Sequence, residues 1–336
     1  AQINSKIKKS QVVTFYNSMP LPLSKNFDRF FQIDRGENPN IKSYDDFINI
    51  IKYAQSKGFR ICYLFNSPKA LSEKDYKPLE KEFHYVLDLL KGCGVDEIKV
   101  GNTQVATLIN EYTDAFKFSI STAAEYHNVS QYKHFINNYP NVDLIDVAID
   151  ENHNFTFLKA MRKMFPNVKL EIMVNEPCLK GCPARISHAS EVRFAQFNCG
   201  ELRKRFGSIY TFFKTSAIYP WNLEYYSALG INNFKFLPEG NVALRADFVN
   251  ISLLENYLNC VEYGCDDFSA QTFFNNMFNV GAPNIPDGLK LSHIIPYLLD
   301  IKQFIKNGDK CCINCDVDCH YCASKARALE EFLMYV

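Results

Sequence analysis

The chain has 336 residues, 47% of them hydrophobic, with few glycines and prolines. That is material for one large or two ordinary packed domains, and it excludes disorder, collagen-like repeats and coiled coil. Lysine plus arginine and aspartate plus glutamate both number 37, so the net charge is zero, which disfavours a protein that coats nucleic acid irrespective of sequence.

In chain order, short β-type runs alternate with segments whose apolar residues recur at helical spacing. Strands are expected at 12–17, 60–66, 97–102, 116–121, 144–150, 169–175, 214–219 and 233–237. Helices are expected at 44–55, 79–90, 104–112, 131–138, 155–164 and 223–229. Eight strands that read as continuous apolar runs, with helices between them, predict an α/β fold, a (β/α)8 TIM-like barrel. A doubly wound open sheet is the alternative, weakened because no GxGxxG follows the first strand. The barrel is placed at 1–250 with a Cys-rich insertion at 176–213, and a C-terminal extension at 251–336. That extension holds a helix near 292–305, a Cys cluster and a closing helix at 323–334.

No apolar run reaches the roughly 18 residues of a membrane span. The opening AQINSKIKKSQ has basic residues without an apolar stretch behind them, so no signal peptide is read and a cytoplasmic location is expected. Several expected strands end in a polar residue: Asn17, Asn66, Asn102, Ser121, Asp150 and Asn175. In a barrel these emerge on the face where the pocket forms, which makes Asn102, Asp150 and Asn175 candidate substrate contacts. Such residues also cap the helices that follow them.

The twelve cysteines are the strongest compositional signal. Cys178, Cys182 and Cys199 cluster in the insertion, and five more crowd into 311–322. Thiols at such short spacings point to a metal or cluster site. Zinc usually takes two Cys pairs held well apart, whereas Cys312/Cys315 and Cys319/Cys322 are nearly contiguous. Iron–sulfur clusters accept tighter runs, and the C-x3-C-x2-C of Cys315, Cys319 and Cys322 has the spacing used by radical S-adenosylmethionine enzymes, which place it after the first barrel strand. A cluster is therefore preferred, with zinc as the alternative.

Four stretches carry a family resemblance: Gly94–Asn102 (GVDEIKVGN); Phe118–Ser121 with Glu125 and Asn128; Asn175–His188 (NEPCLKGCPARISH); and Tyr219–Tyr226 (YPWNLEYY) with its sequel to Phe236. Together they resemble the collagenase-like peptidase family U-32, in particular its single-barrel branch. The resemblance implies a barrel-like fold and, as in several members, a four-iron four-sulfur cluster. Such members carry out oxygen-independent hydroxylation of ubiquinone precursors, tRNA or rRNA, in some cases with prephenate as oxygen source; others are labelled peptidases. It implies Cys178, Cys182 and Cys199 as cluster ligands, with Cys315, Cys319 and Cys322 either completing that site or holding a second metal. The chain departs from the better-known branch in its C-x3-C spacing and in reading Pro238-Glu239-Gly240 where an arginine is usual.

Around the cysteines, Arg185 suits a carboxylate or phosphate as well as a local ion pair, and His188 suits proton donation or a structural hydrogen bond. Glu176 reads as a general base or a loop cap, Tyr219 and Trp221 as stacking or packing groups, and Lys235 as a substrate contact or a partner of Glu239. The expectation is an iron–sulfur oxidoreductase or hydroxylase acting on a small-molecule or nucleotide substrate, with a homo- or heterodimer of related chains as an option the resemblance brings. A peptidase and a non-catalytic cluster or zinc subunit are the alternatives; no HExxH or GxSxG supports proteolysis.

Overall fold

The computed structural model describes residues 12–17, 27, 30–31, 41, 43–176, 178–186, 204–205, 207–237, 251–276, 285–307 and 320–336. Seven parallel strands form one sheet in chain order: β1 (Thr14–Asn17), β2 (Arg60–Phe65), β3 (Glu97–Val100), β4 (Lys117–Ile120), β5 (Val142–Asp146), β6 (Lys169–Met173) and β7 (Asn233–Lys235). Parallel neighbours need crossovers. These include α1 (Tyr44–Ser56), α2 (Glu80–Gly92), α3 (Thr103–Tyr112), α4 (Val129–Asn138) and α5 (Phe155–Met164). Beyond β6 come α6 (Ser208–Phe213) and α7 (Leu223–Ser227), then α8 (Ile251–Tyr263), α9 (Leu291–Ile294), α10 (Ile301–Asn307) and α11 (Tyr321–Met334).

The sheet is strongly curled and TIM-like. Lys235 of β7 reaches Tyr16 of β1, at the opposite end of the strand order, with Nζ 4.8 Å from the ring centroid. Among the described residues β1 and β7 do not pair.

The expected strand at 214–219 is not a strand. Its backbone is committed to capping the end of β6: Ile218 N donates to Val174 O (2.8 Å), and Asn152 Nδ2 donates to both Met173 O (2.8 Å) and Ser216 O (3.1 Å). With those groups used, the segment lies at the C-terminal end of β6, and the segment expected as the eighth strand pairs with β6 as β7. The helix expected near 292–305 is likewise broken into α9 and α10 around Pro296, which has no N–H to continue the ladder.

The strands are also not continuous apolar runs. Ile98, Val100, Phe118, Ile120, Leu170 and Ile172 face the helices and are buried in the hydrophobic core. Burial of each such side chain contributes about 1.5–3 kcal/mol. The alternate residues, Glu97, Lys99, Ser119 and Glu171, are equally buried but absent from that core, because they face the inside of the curl. Phe31 and Phe83 stack at 4.5 Å beside Phe27 and Phe65, closing the core under β2.

Capping sets the helix starts. Ser43 Oγ accepts from Asp46 N, Asn102 Oδ1 from Val105 N, and Asn128 forms a capping box with Gln131. In the C-terminal part, α11 packs on α6, and Tyr257 of α8 donates to Ile218 O (2.8 Å). Cys260 and Cys265 lie side by side at the end of α8, with Cα atoms 4.8 Å apart, a juxtaposition not foreseen in the cysteine pattern. No described helix is long and apolar enough to cross a membrane.

Candidate functional site

The C-terminal rim of the curl is built by the loops after β4, β5 and β6. Asp150 and Glu151 follow β5, and Cys178 to Arg185 follow β6. Glu125 follows β4 in a left-handed conformation (φ 51°), which a non-glycine residue adopts at a cost.

Arg185 ties the three loops together. Its Nη2 donates to Asp150 Oδ1 (2.6 Å) and to Leu179 O (2.6 Å), and its Nη1 to Glu125 Oε2 (3.3 Å). Asp150 Oδ1 also accepts from Gly181 N (3.1 Å). Arg185 is buried, and Asp150 and Glu125 hold its charge in place so that its pKa rises despite burial. Among the described residues its Nε is buried without a partner.

Cys178 and Cys182 stand on this fastened turn. Glu176 is buried beneath them and accepts from Cys178 N (3.2 Å). Burial, then the nearby Glu176 carboxylate, push the Cys178 thiol well up, against the pull of Arg185. An unassisted nucleophilic cysteine needs the opposite shift. A group that takes this sulfur as thiolate must bring its own positive charge, as a metal centre does. Cys178 and Cys182 are the sulfurs that a thiophilic metal group would take on this turn. The other expected ligands Cys199, Cys315 and Cys319, together with His188 and Glu239, lie outside the described residues. Cys322 is buried on α11, within electrostatic reach of Tyr219.

The remaining sequence-derived residues have identifiable partners. Asn102 caps α3 and donates to Ser67 O and Lys69 O (2.9 and 3.1 Å). Asn175 bridges backbone to backbone, donating to Leu237 O and accepting from Leu237 N, both at 2.7 Å. Tyr219 is buried among Trp221 (5.0 Å), Phe212 and Phe273. Lys235 pairs with Asp146 inside the curl (3.3 Å).

Two groupings escaped the sequence reading. On the rim, His127 lies 3.2 Å from Glu125 and 3.3 Å from Glu151, and these bonds push its pKa up to about 10. Glu125, His127 and Asp150 could enclose a cation, but Arg185 and the charged His127 already neutralise those carboxylates. Inside the curl, Lys99 is fully buried and donates to Asp146 and to Glu171 (2.8 Å). Tyr16 lies under Lys99 (4.4 Å) and its hydroxyl donates to Glu171 Oε2 (2.5 Å). The signal for this set was a charged residue at every second strand position, as in EIKV and KLEIM.

The family model for peptidase family U32 matches residues 30–175. Over that stretch, less than half of the chain, the sequence is similar to the U32 family. The matched region runs through β6 and stops just before the cysteine turn. A solved structure, the U32 peptidase Mk0906, aligns with 69% of this chain and 95% of its own, at 16% identity and a TM-score of 0.42, a likeness that bears on neither fold nor chemistry. No curated protein matches the chain.

Proposed function

We propose that this protein is a redox enzyme carrying an iron–sulfur cluster, with four irons and four sulfides, on the C-terminal rim of its barrel. Its reaction is the oxygen-independent hydroxylation, or another redox modification, of a small-molecule or nucleotide substrate. The observation that carries this reading is the pair of thiols, Cys178 and Cys182, on a turn fixed by Arg185 above a polar barrel interior. When bound, such a cluster supplies single-electron chemistry. The protein's own residues hold and shape the place. Cys178 and Cys182 offer sulfur, and Arg185 fixes the turn against Asp150 and Glu125 and keeps Nε for an anionic group. Glu176 steadies the turn through Cys178 N. Similarity to peptidase family U32 does not by itself imply peptide hydrolysis.

The test is anaerobic purification of the whole chain with iron, acid-labile sulfide and zinc quantified, alongside Cys182→Ala. About four irons and four sulfides per chain, lost in Cys182→Ala, is the expected outcome. Zinc without sulfide would overturn the cluster and leave the cysteines as scaffold.

A further inference from the structure

The cysteine turn has a second anchor besides Arg185. Lys180 is the middle of the three residues between Cys178 and Cys182, and its Nζ donates to Nδ1 of His153 (2.6 Å). His153 stands in the loop between β5 and α5 and is 2% exposed. Because Nδ1 accepts from an ammonium group, the ring hydrogen sits on Nε2, which donates to Ala217 O (3.2 Å). Burial, then the Lys180 charge, push the pKa of this imidazole well down and keep it neutral. The ring stacks on Phe304 of α10 at 4.4 Å, and Lys180 Nζ lies over the same phenyl ring at 4.8 Å. Tyr321, which opens α11, meets Phe304 edge-on at 6.0 Å. The backbone repeats the link, since Lys180 N donates to Lys214 O (2.9 Å) and Leu179 bridges to Thr215.

We propose that His153 is a positioning residue of the cysteine turn: its neutral imidazole takes the Lys180 ammonium group on Nδ1 and so fixes the placement of the Cys178 and Cys182 thiols. Packing against Phe304 would be met by any flat ring, and the bond to Ala217 O uses only Nε2. Nδ1 is the single acceptor that a neutral imidazole has, and it is spent on the residue midway between two thiols. Lys180 is only half-buried, so its ammonium group could turn to water; it points instead at a buried acceptor. A hydrogen bond with a charged donor is among the stronger kinds, and here it joins the rim loop after β5 to the turn after β6. Arg185 fastens the far end of the turn and Lys180 its centre, two residues from either sulfur. The use made of the two thiols rests on the cluster proposed above, whereas their placement does not.

Iodoacetamide labelling of the whole chain, treated beforehand with chelator and reductant and read by peptide mapping, tests it. In His153→Gln the side-chain amide nitrogen replaces Nε2 and keeps the bond to Ala217 O, but the acceptor facing Lys180 is lost. In His153→Asn the side-chain oxygen stands in for Nδ1 and that acceptor is kept. Labelling of Cys178 and Cys182 is expected to quicken about tenfold in His153→Gln and to stay close to the wild-type rate in His153→Asn. Cys93, a buried thiol just past α2, keeps its wild-type rate in both, which separates a loosened turn from a loss of global stability. Lys180→Met, at a half-buried position, keeps the test open if the histidine variants fail to fold. It labels faster by itself, and adding His153→Gln to it brings no further change, because both act through one bond. Equal rates in His153→Gln and His153→Asn, an unchanged rate in Lys180→Met, or Cys93 quickening in step with the turn would each overturn the proposal. With the metal removed first, a wild-type chain found to lack iron and sulfide would end the cluster reading, and the labelling would still decide the role of His153.

Discussion

His127 shows how a side chain of ordinary appearance acquires a defined charge from its setting. Its bonds to Glu125 and Glu151 raise its folded-state pKa to about 10, whereas in the unfolded chain it titrates near ~6.5. The folded form therefore holds the proton more tightly. The stability this gives is complete below pH ~6.5 and is lost as pH rises toward about 10. Denaturant midpoints of wild type and His127→Gln, compared across that window, are expected to converge as pH rises. A pH-independent gap would show that the imidazolium contributes nothing. Arg185 is the complementary case, since its arginine fork is spent mainly on Asp150, Glu125 and a carbonyl, and this fixes the cysteine turn.

At the scale of elements, the β3–α3 junction shows how closely the strand-end loops are fitted. A Cβ on Gly101 would stand 2.4 Å from Asn66 O and 2.5 Å from Ser67 O, both backbone atoms that cannot swing aside. Asn102, next in sequence, donates to Ser67 O while capping α3, so two consecutive residues dock β3 on the loop after β2. Gly101→Ala is expected to cost about 1–3 kcal/mol by overpacking, measured as a lowered urea midpoint with unchanged m-value. A neutral substitution would mean that the loop is free to retreat.

Across the whole molecule, the C-terminal helix is docked on the segment that leads from β6 to β7. α11 packs on α6, the helix that ends the segment expected as a Cys-rich insertion, and Leu329 of α11 is fully buried. Truncation to alanine there is expected to cost about 2–5 kcal/mol. On the proposed reading, Leu329→Ala also retains less iron than wild type after anaerobic purification, because the tail then holds its cysteines less firmly. A destabilised variant with full iron content would separate helix docking from metal binding.

The element pattern was largely legible in the sequence because it rests on local physics. The six helices expected between the strands start within two residues of their observed starts, and side-chain caps such as Asn102 and Asn128 are local hydrogen bonds. The strand at 214–219 was misjudged because its apolar β-type residues carry no sign that the backbone would be used to cap β6. The interior charge set was overlooked for a related reason. Lys99, Asp146 and Glu171 lie 47 and 72 residues apart from the first of them, and each alone reads as a surface charge on a short strand. The sequence by itself determined seven of the eight expected strands and where the helices between them begin, since those depend on neighbours along the chain. Tertiary structure alone decided that alternate strand residues turn inward, that Arg185 fastens three loops and that Lys99 meets both Asp146 and Glu171, because curling a parallel sheet brings distant strands within hydrogen-bonding distance.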